Sequence, residues 1–335
     1  MRSTIVSIFL ALFFFFESFL MISQSNSIIE FSDWKYQAAN DPINYPAQVP
    51  GNIFLDLYQN GIIPNPLLGS NEKDVQWVSQ QDWEYHAHFD LSESQYAGIQ
   101  KDKNIVLHLP EIDTYSDVYI NDKWVFRTDN SFIHWQTPIN SFIQSGRNEI
   151  KLILHSPYKI AKEKLKNLPY PIPGDSIRSV IRKPQYEFGW DWGPSLAGCG
   201  IRQKPYLHIQ HLSSISEHWL KIPAQPDQLF ELHFRTARLE NDHLMALLKD
   251  ENGNELGRID DIPNQLDQKI LFDLKSQPIW HSNGKGKPNL TTLHLELWHQ
   301  NVRIDHKQIT TGKRAIELVQ EKDQWGTSFY FQLNG

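Results

Sequence analysis

Beyond its first two dozen residues, this chain places its apolar positions mostly at a period of two, the spacing of strands with one buried face. Ile105-Val106-Leu107-His108-Leu109 is an apolar run of the buried kind. Asp117–Ile120 and Lys123–Phe126 read as two strands joined by a tight turn at Asn121-Asp122. Ile150–Leu154 follows the break at Gly146-Arg147-Asn148. A second series opens near Trp219. There Leu229–Phe234 and Leu244–Leu248 flank a polar turn, Asp250–Asn254 makes the next turn, and Leu293–Trp298 alternates cleanly. Short strands with turns between them predict an all-β chain of sandwich or barrel type.

Helix signals are few. Asn52 can cap a short helix through Leu57 that stops at Asn60-Gly61. Ser156-Pro157 can open another across Tyr158–Lys166, ended by Pro169, Pro171 and Pro173. That proline-rich segment is expected to be a long loop or lid. Loops on a rigid sandwich are where binding residues usually sit.

A length of 335 residues exceeds one ordinary core and suggests two domains, with the boundary near residues 212–218. Forty per cent hydrophobic and 12% aromatic residues supply ample core material, which argues against disorder. The net charge of −7 is spread over interspersed acids and bases; without a basic stripe, nucleic acid is not an expected partner.

At the amino terminus, Arg2 precedes an apolar stretch from Ile5 to Phe16, and Ser23-Gln24-Ser25 offers small residues for cleavage. Residues 1–25 therefore read as a signal peptide. A signal anchor is the alternative, since Ser18–Ile22 prolongs the apolar region, but Glu17 leaves the run short of the ~20 residues a spanning helix needs. No stable membrane span is expected. Cys199 is the single cysteine, so no disulfide within the chain is possible, and a small buried side chain is its expected role. Asn289-Leu290-Thr291 is the one glycosylation sequon, meaningful only in a lumenal setting.

The chemistry concentrates in Arg182–Pro194, where Asp191 stands between Trp190 and Trp192 with Gly189 and Gly193 outside them. Indole faces stack on the C–H surface of a pyranose, a carboxylate accepts hydrogen bonds from ring hydroxyls, and glycines allow close backbone approach. Two readings are open at this point: a sugar site, or a sheet corner with both indoles buried. Other carboxylates make no convincing acid/base pair. Glu111-Ile112-Asp113-Thr114 reads as a strand-edge turn whose Asp and Thr side chains bond local backbone, and Glu187 as lying in an extended stretch. His86 and His88 share a strand face that could favour a metal, although a solvated face accounts for them as well. The fourteen histidines form no metal-ligand pattern, so neither metal nor cofactor is expected.

From Trp34 to the last residue the chain resembles the amino-terminal part of the β-mannosidases of glycoside hydrolase family 2. The resemblance rests on Val49-Pro50-Gly51-Asn52-Ile53, Trp83-Glu84-Tyr85, Glu111–Tyr115, Tyr186–Pro194 and Gly326–Phe331, of which Trp190-Asp191-Trp192-Gly193-Pro194 is highly specific. It implies a galactose-binding-like jelly-roll β-sandwich over residues 28–215, an immunoglobulin-like β-sandwich over 216–322, and the start of a (β/α)8 barrel over 323–335. It implies further a retaining exo-hydrolase that removes terminal β-linked mannose from oligosaccharides and glycoproteins through two barrel glutamates. Trp190, Asp191 and Trp192 would take the substrate-contacting role, with a β-mannoside-containing oligosaccharide and the catalytic barrel as partners. Such a barrel needs about 250 residues, so both catalytic glutamates are expected to lie outside this sequence and the chain alone to be inactive. A stand-alone, lectin-like carbohydrate-binding protein is the alternative. Two departures bear on substrate choice. Gly200-Ile201 is followed by Arg202 where the resemblance implies tryptophan, and Asn283-Gly284-Lys285-Gly286 lacks the family's aromatic. The lysosomal lumen, or secretion, is the expected location.

Overall fold

A computed structural model describes residues 27–39, 43–101, 103–172, 176–223, 225 and 228–335. The signal-peptide reading and Pro173 lie outside these residues. The chain divides into two compact units, 26–210 and 211–335.

In the first unit, the larger sheet contains β2 (Ser32–Ala38), β3 (Tyr45–Pro46), β4 (Trp83–Leu91), β7 (Ser116–Ile120), β8 (Lys123–Thr128) and β10 (Gly146–Leu154), in the order β3-β2-β4-β10-β7-β8. The facing sheet contains β1 (Ser27–Glu30), β5 (Lys103–Leu109), β9 (Trp135–Pro138) and β14 (Tyr206–His211), ordered β1-β14-β5-β9. All named pairings are antiparallel. Period-two patterning explains the sandwich: along β4, Trp83, Tyr85, Ala87, Phe89 and Leu91 are buried while Glu84, His86, His88 and Asp90 face away from the core. Ile105, Leu107, Leu109, Leu207 and Ile209 of one sheet join Val118, Ile120, Ile150 and Leu152 of the other in a single apolar cluster. This is the galactose-binding-like jelly roll.

Two short pairs complete this unit: β6 (Ile112–Asp113) with β13 (Gly200–Ile201), and β11 (Phe188–Trp190) with β12 (Gly193–Ser195). Helix α1 (Ile53–Gln59) begins where Asn52 accepts a hydrogen bond from the Leu55 amide at 3.1 Å, a side-chain N-cap. It is followed by the single-turn α2 (Asn71–Asp74) and by α3 (Glu93–Lys101). Helix α4 (Pro157–Lys166) has Pro157 in its first turn and Ser156 capping the Lys159 amide, and α5 (Ser176–Ser179) follows it.

The second unit is the immunoglobulin-like sandwich. β15 (Ser214–Lys221), β16 (Phe230–Ala237) and β19 (Asp267–Phe272) form one sheet, ordered β15-β16-β19. β17 (Asp242–Asp250), β18 (Glu255–Ile259), β20 (Thr291–His299) and β21 (Val302–Thr311) form the other, ordered β18-β17-β20-β21. Its core sets Phe230, Leu232 and Phe234 against Leu244, Leu293, Leu295 and Leu297, with no disulfide. A last hairpin, β22 (Ile316–Val319) with β23 (Tyr330–Leu333), carries exposed Trp325, Phe329 and Phe331.

Candidate functional site

The β11–β12 hairpin pairs Phe188 with Ser195 and Trp190 with Gly193, which leaves Asp191-Trp192 as a two-residue connection. Gly189 sits at φ +93°, in the region that side chains disfavour, and a Cβ there would come within 3.3 Å of the Ser195 Cβ. Phe188 anchors the hairpin in a small core with Tyr115, Ala161, Ile181 and Ala197. Beyond that anchor the side chains open outward. Trp190 is 52% and Trp192 74% exposed, and Asp191 is exposed between them. A buried sheet corner is thereby excluded.

The Arg178 guanidinium lies 5.4 Å from the Trp190 ring centroid, within cation–π range. Trp190, Asp191, Glu72 and Arg178 line one open hollow together with Gly189, Gly193 and Ser195. An indole wall beside a solvent-facing carboxylate suits a ligand with an apolar face and hydroxyl edges.

Beneath this hairpin lies a group that the sequence reading missed as a unit. Lys183, with a wholly enclosed side chain, reaches Asp113 at 2.5 Å and Glu187 at 2.6 Å. Arg202 pairs with Asp113 at 2.9 Å and also with Glu187. Each of the four charges therefore has two opposite neighbours. Burial alone would raise the Asp113 carboxyl, but Lys183 and Arg202 beside it bring it below the usual carboxylate range. Burial raises Glu187, reinforced by Asp113 and opposed by Lys183 and Arg202. Arg202 pays desolvation as well, yet its two carboxylates hold it above its ordinary value.

This corrects two expectations. Asp113 is not a local turn residue: it is buried, accepts the Thr114 hydroxyl, and anchors residues 70 and 89 positions away. Glu187 lies in a single 3-10 turn, Gln185–Glu187, rather than in extended chain. The spacing of Lys183 and Glu187 was the only available hint, and nothing in the sequence marked Arg202 as their partner. By holding Lys183, Glu187 and Arg202 together, the network fixes both ends of the segment that carries the hairpin. Asp113, Glu187 and Arg202 also form part of the lining of a neighbouring cleft of about 480 Å³, whose apolar walls include Phe54, Leu55, Tyr58 and Leu196.

The remaining candidates scatter. Cys199 is buried, and burial pushes its thiol up, so it is a packed side chain rather than an available thiolate. His86 lies 3.8 Å from Glu84 and His88 3.9 Å from Glu149 on the outer face of the larger sheet. Among the described residues, no group of three or more such side chains is placed to hold a metal. Glu111 accepts from Gln203 at 3.1 Å. Asn289 is half-buried in the second unit, its Nδ2 donating to the Ile279 carbonyl at 2.8 Å. No helix among the described residues is long and apolar enough to cross a membrane.

Comparison with known proteins adds the relationship. β-Mannosidase B of Aspergillus flavus is 26% identical over 305 residues, covering 86% of this chain and 34% of that protein. A probable β-mannosidase of Caenorhabditis elegans is 26% identical over 331 residues, 90% of this chain and 36% of that one. The crystal structure of the Dictyoglomus thermophilum β-D-mannosidase superposes with a TM-score of 0.80 at 32% identity, over 92% of this chain and 39% of that one. A Bifidobacterium dentium β-glucuronidase shares the fold, with a TM-score of 0.62 at 14% identity over 93% of this chain and 51% of that one. The chain thus spans about a third of the length of the curated relatives it matches. Residues 34–203 match the model of one family over half of the sequence, and the chain belongs to that family, the glycosyl hydrolase 2 galactose-binding domain-like proteins.

Proposed function

We propose that this chain is the sugar-gripping amino-terminal part of a β-mannosidase, a retaining exo-glycosidase acting on terminal, non-reducing β-D-mannose residues of oligosaccharides and glycoproteins. The observation that carries the reading is the exposed Trp190-Asp191-Trp192 turn, mounted on a hairpin whose root is buried. In this reading one indole stacks on the pyranose face, Asp191 accepts from its hydroxyls, and bond cleavage belongs to two glutamates of a (β/α)8 barrel outside this sequence. The β22–β23 hairpin supports membership of a larger assembly. Trp325, Phe329 and Phe331 are 86%, 70% and 69% exposed, and aromatic exposure of this size marks a surface that another body covers. The amino-terminal apolar stretch and the Asn289 sequon support passage through the secretory route to the lysosomal lumen or outside the cell.

Calorimetry of the 335-residue chain with mannobiose tests the reading. Weak binding, with a dissociation constant in the millimolar range, is expected, together with its loss in Asp191→Ala and no turnover of an aryl β-mannoside. Binding that survives Asp191→Ala would remove the hairpin from the site. Sub-millimolar binding that depends on Asp191 would favour a stand-alone lectin, and measurable turnover would place catalysis within this chain.

A further inference from the structure

We infer that Glu72 is the positioning residue of the Trp190-Asp191-Trp192 hairpin; the effect on saccharide rests on the function proposed above, the geometry does not. Ser195 is where the hairpin rejoins the sandwich. It stands opposite Phe188, and the next residue, Leu196, donates its amide to the Glu187 carbonyl at 2.8 Å. Both backbone groups of Ser195 are held from one distant helical segment. Its amide donates to the Glu72 carboxylate at 2.7 Å, and its carbonyl accepts from Gln76 Nε2 at 2.8 Å. Gln76 also donates to the Glu72 carbonyl at 2.8 Å, which closes a ring of three hydrogen bonds through residues more than a hundred positions apart in sequence.

A hairpin with three residues in each strand has too few ladder bonds to hold its shape alone. Its outer half has no apolar anchor, because Trp190 and Trp192 are exposed. The angle at which Asp191 is presented is therefore set at the root, where a Glu72 carboxylate oxygen accepts the Ser195 amide from outside the hairpin. Glu72 also lines the hollow beside Trp190 and Asp191, so movement of its carboxylate alters the same wall that meets the ligand. Asp191 touches ligand in this scheme; Glu72 acts through the backbone that carries it.

The test uses the full chain and two substitutions. Amide hydrogen exchange at Ser195 is read together with the quench of tryptophan emission by mannobiose. Glu72→Ala should speed Ser195 exchange about tenfold and weaken the saccharide response about tenfold. Glu72→Gln retains an acceptor oxygen and should restore both to within about threefold of the original chain. Unchanged exchange in Glu72→Ala overturns the inference, as does Glu72→Gln matching Glu72→Ala, which would make the carboxylate's charge, not its acceptor geometry, the determinant. The proposed function fails separately. If the unsubstituted chain gives no saccharide response while Glu72→Ala still frees the Ser195 amide, the carbohydrate reading falls and the positioning role stands.

Discussion

Lys183 has exchanged all of its hydration for two carboxylates, and that exchange makes it sensitive to substitution. Lys183→Met would leave Asp113 and Glu187 enclosed with Arg202 as their one cation, and removing one member of a buried ion group costs about 3–5 kcal/mol. A urea-derived unfolding free energy for the first unit that falls by less than a fifth of that amount would mean that water replaces the ammonium. His108 makes a different prediction. It is buried, stacks on Tyr206 with centroids 4.5 Å apart, and its Nδ1 lies 3.0 Å from His134 Nε2. Burial, then the nearby His134 and His208, lower its pKa from 6.5 to about 4. The unfolded chain therefore takes the proton first as pH falls. Stability is complete above about pH 6.5 and is lost progressively toward pH 4, by an amount on the order of 3 kcal/mol. Urea unfolding at pH 7, 5.5 and 4.5 should show this slope in the original chain and a shallower one in His108→Gln; equal slopes would assign the acid sensitivity elsewhere. Neither behaviour was legible beforehand. A lone lysine or histidine in a strand-rich sequence carries no sign of what faces it, because its partners arrive from other strands.

Among the elements, local signals proved readable wherever one residue type satisfies one backbone need. Asn52 and Ser156 cap the helices that they were expected to open, and Asn121-Asp122 forms its turn with φ values of 50° and 60°. Helix α3, Glu93–Lys101, escaped notice because Ile99 is its one buried side chain, so it presents no apolar stripe. Gly200 shows the limit of local reading. A Cβ there would lie 2.4 Å from the Gly51 carbonyl oxygen and 2.7 Å from the Asn52 Cα, both backbone atoms that cannot swing aside. Gly200→Ala should therefore pry β13 from the start of α1 and lower stability by about 1–3 kcal/mol, read as a drop in the thermal midpoint. Gly193→Ala, with nothing within 4 Å of its Cβ, serves as the comparison and should be nearly neutral.

Among the described residues each unit has its own main apolar core, and the first also has the small cluster around Phe188. Leu295→Ala, at a fully buried position in the second unit, should cost about 2–5 kcal/mol of that unit's stability and leave Asp191-dependent saccharide binding in the first unchanged. Loss of binding in that variant would show that the two units act as one. Period-two alternation and turn residues by themselves determined that the chain is all-β, of sandwich or barrel type, since each strand must hide one face whatever it packs against. The chemistry of an acid between two indoles singled out Trp190, Asp191 and Trp192, with a sugar site and a buried corner both open. Only the tertiary structure decided that these three side chains open to solvent, that Lys183 and Arg202 bind Asp113 and Glu187 beneath them, and that Glu72 holds the hairpin's root. The physical reason is range. Alternation and capping act between neighbours a few residues apart, whereas exposure and charge pairing depend on which distant segments share the same space.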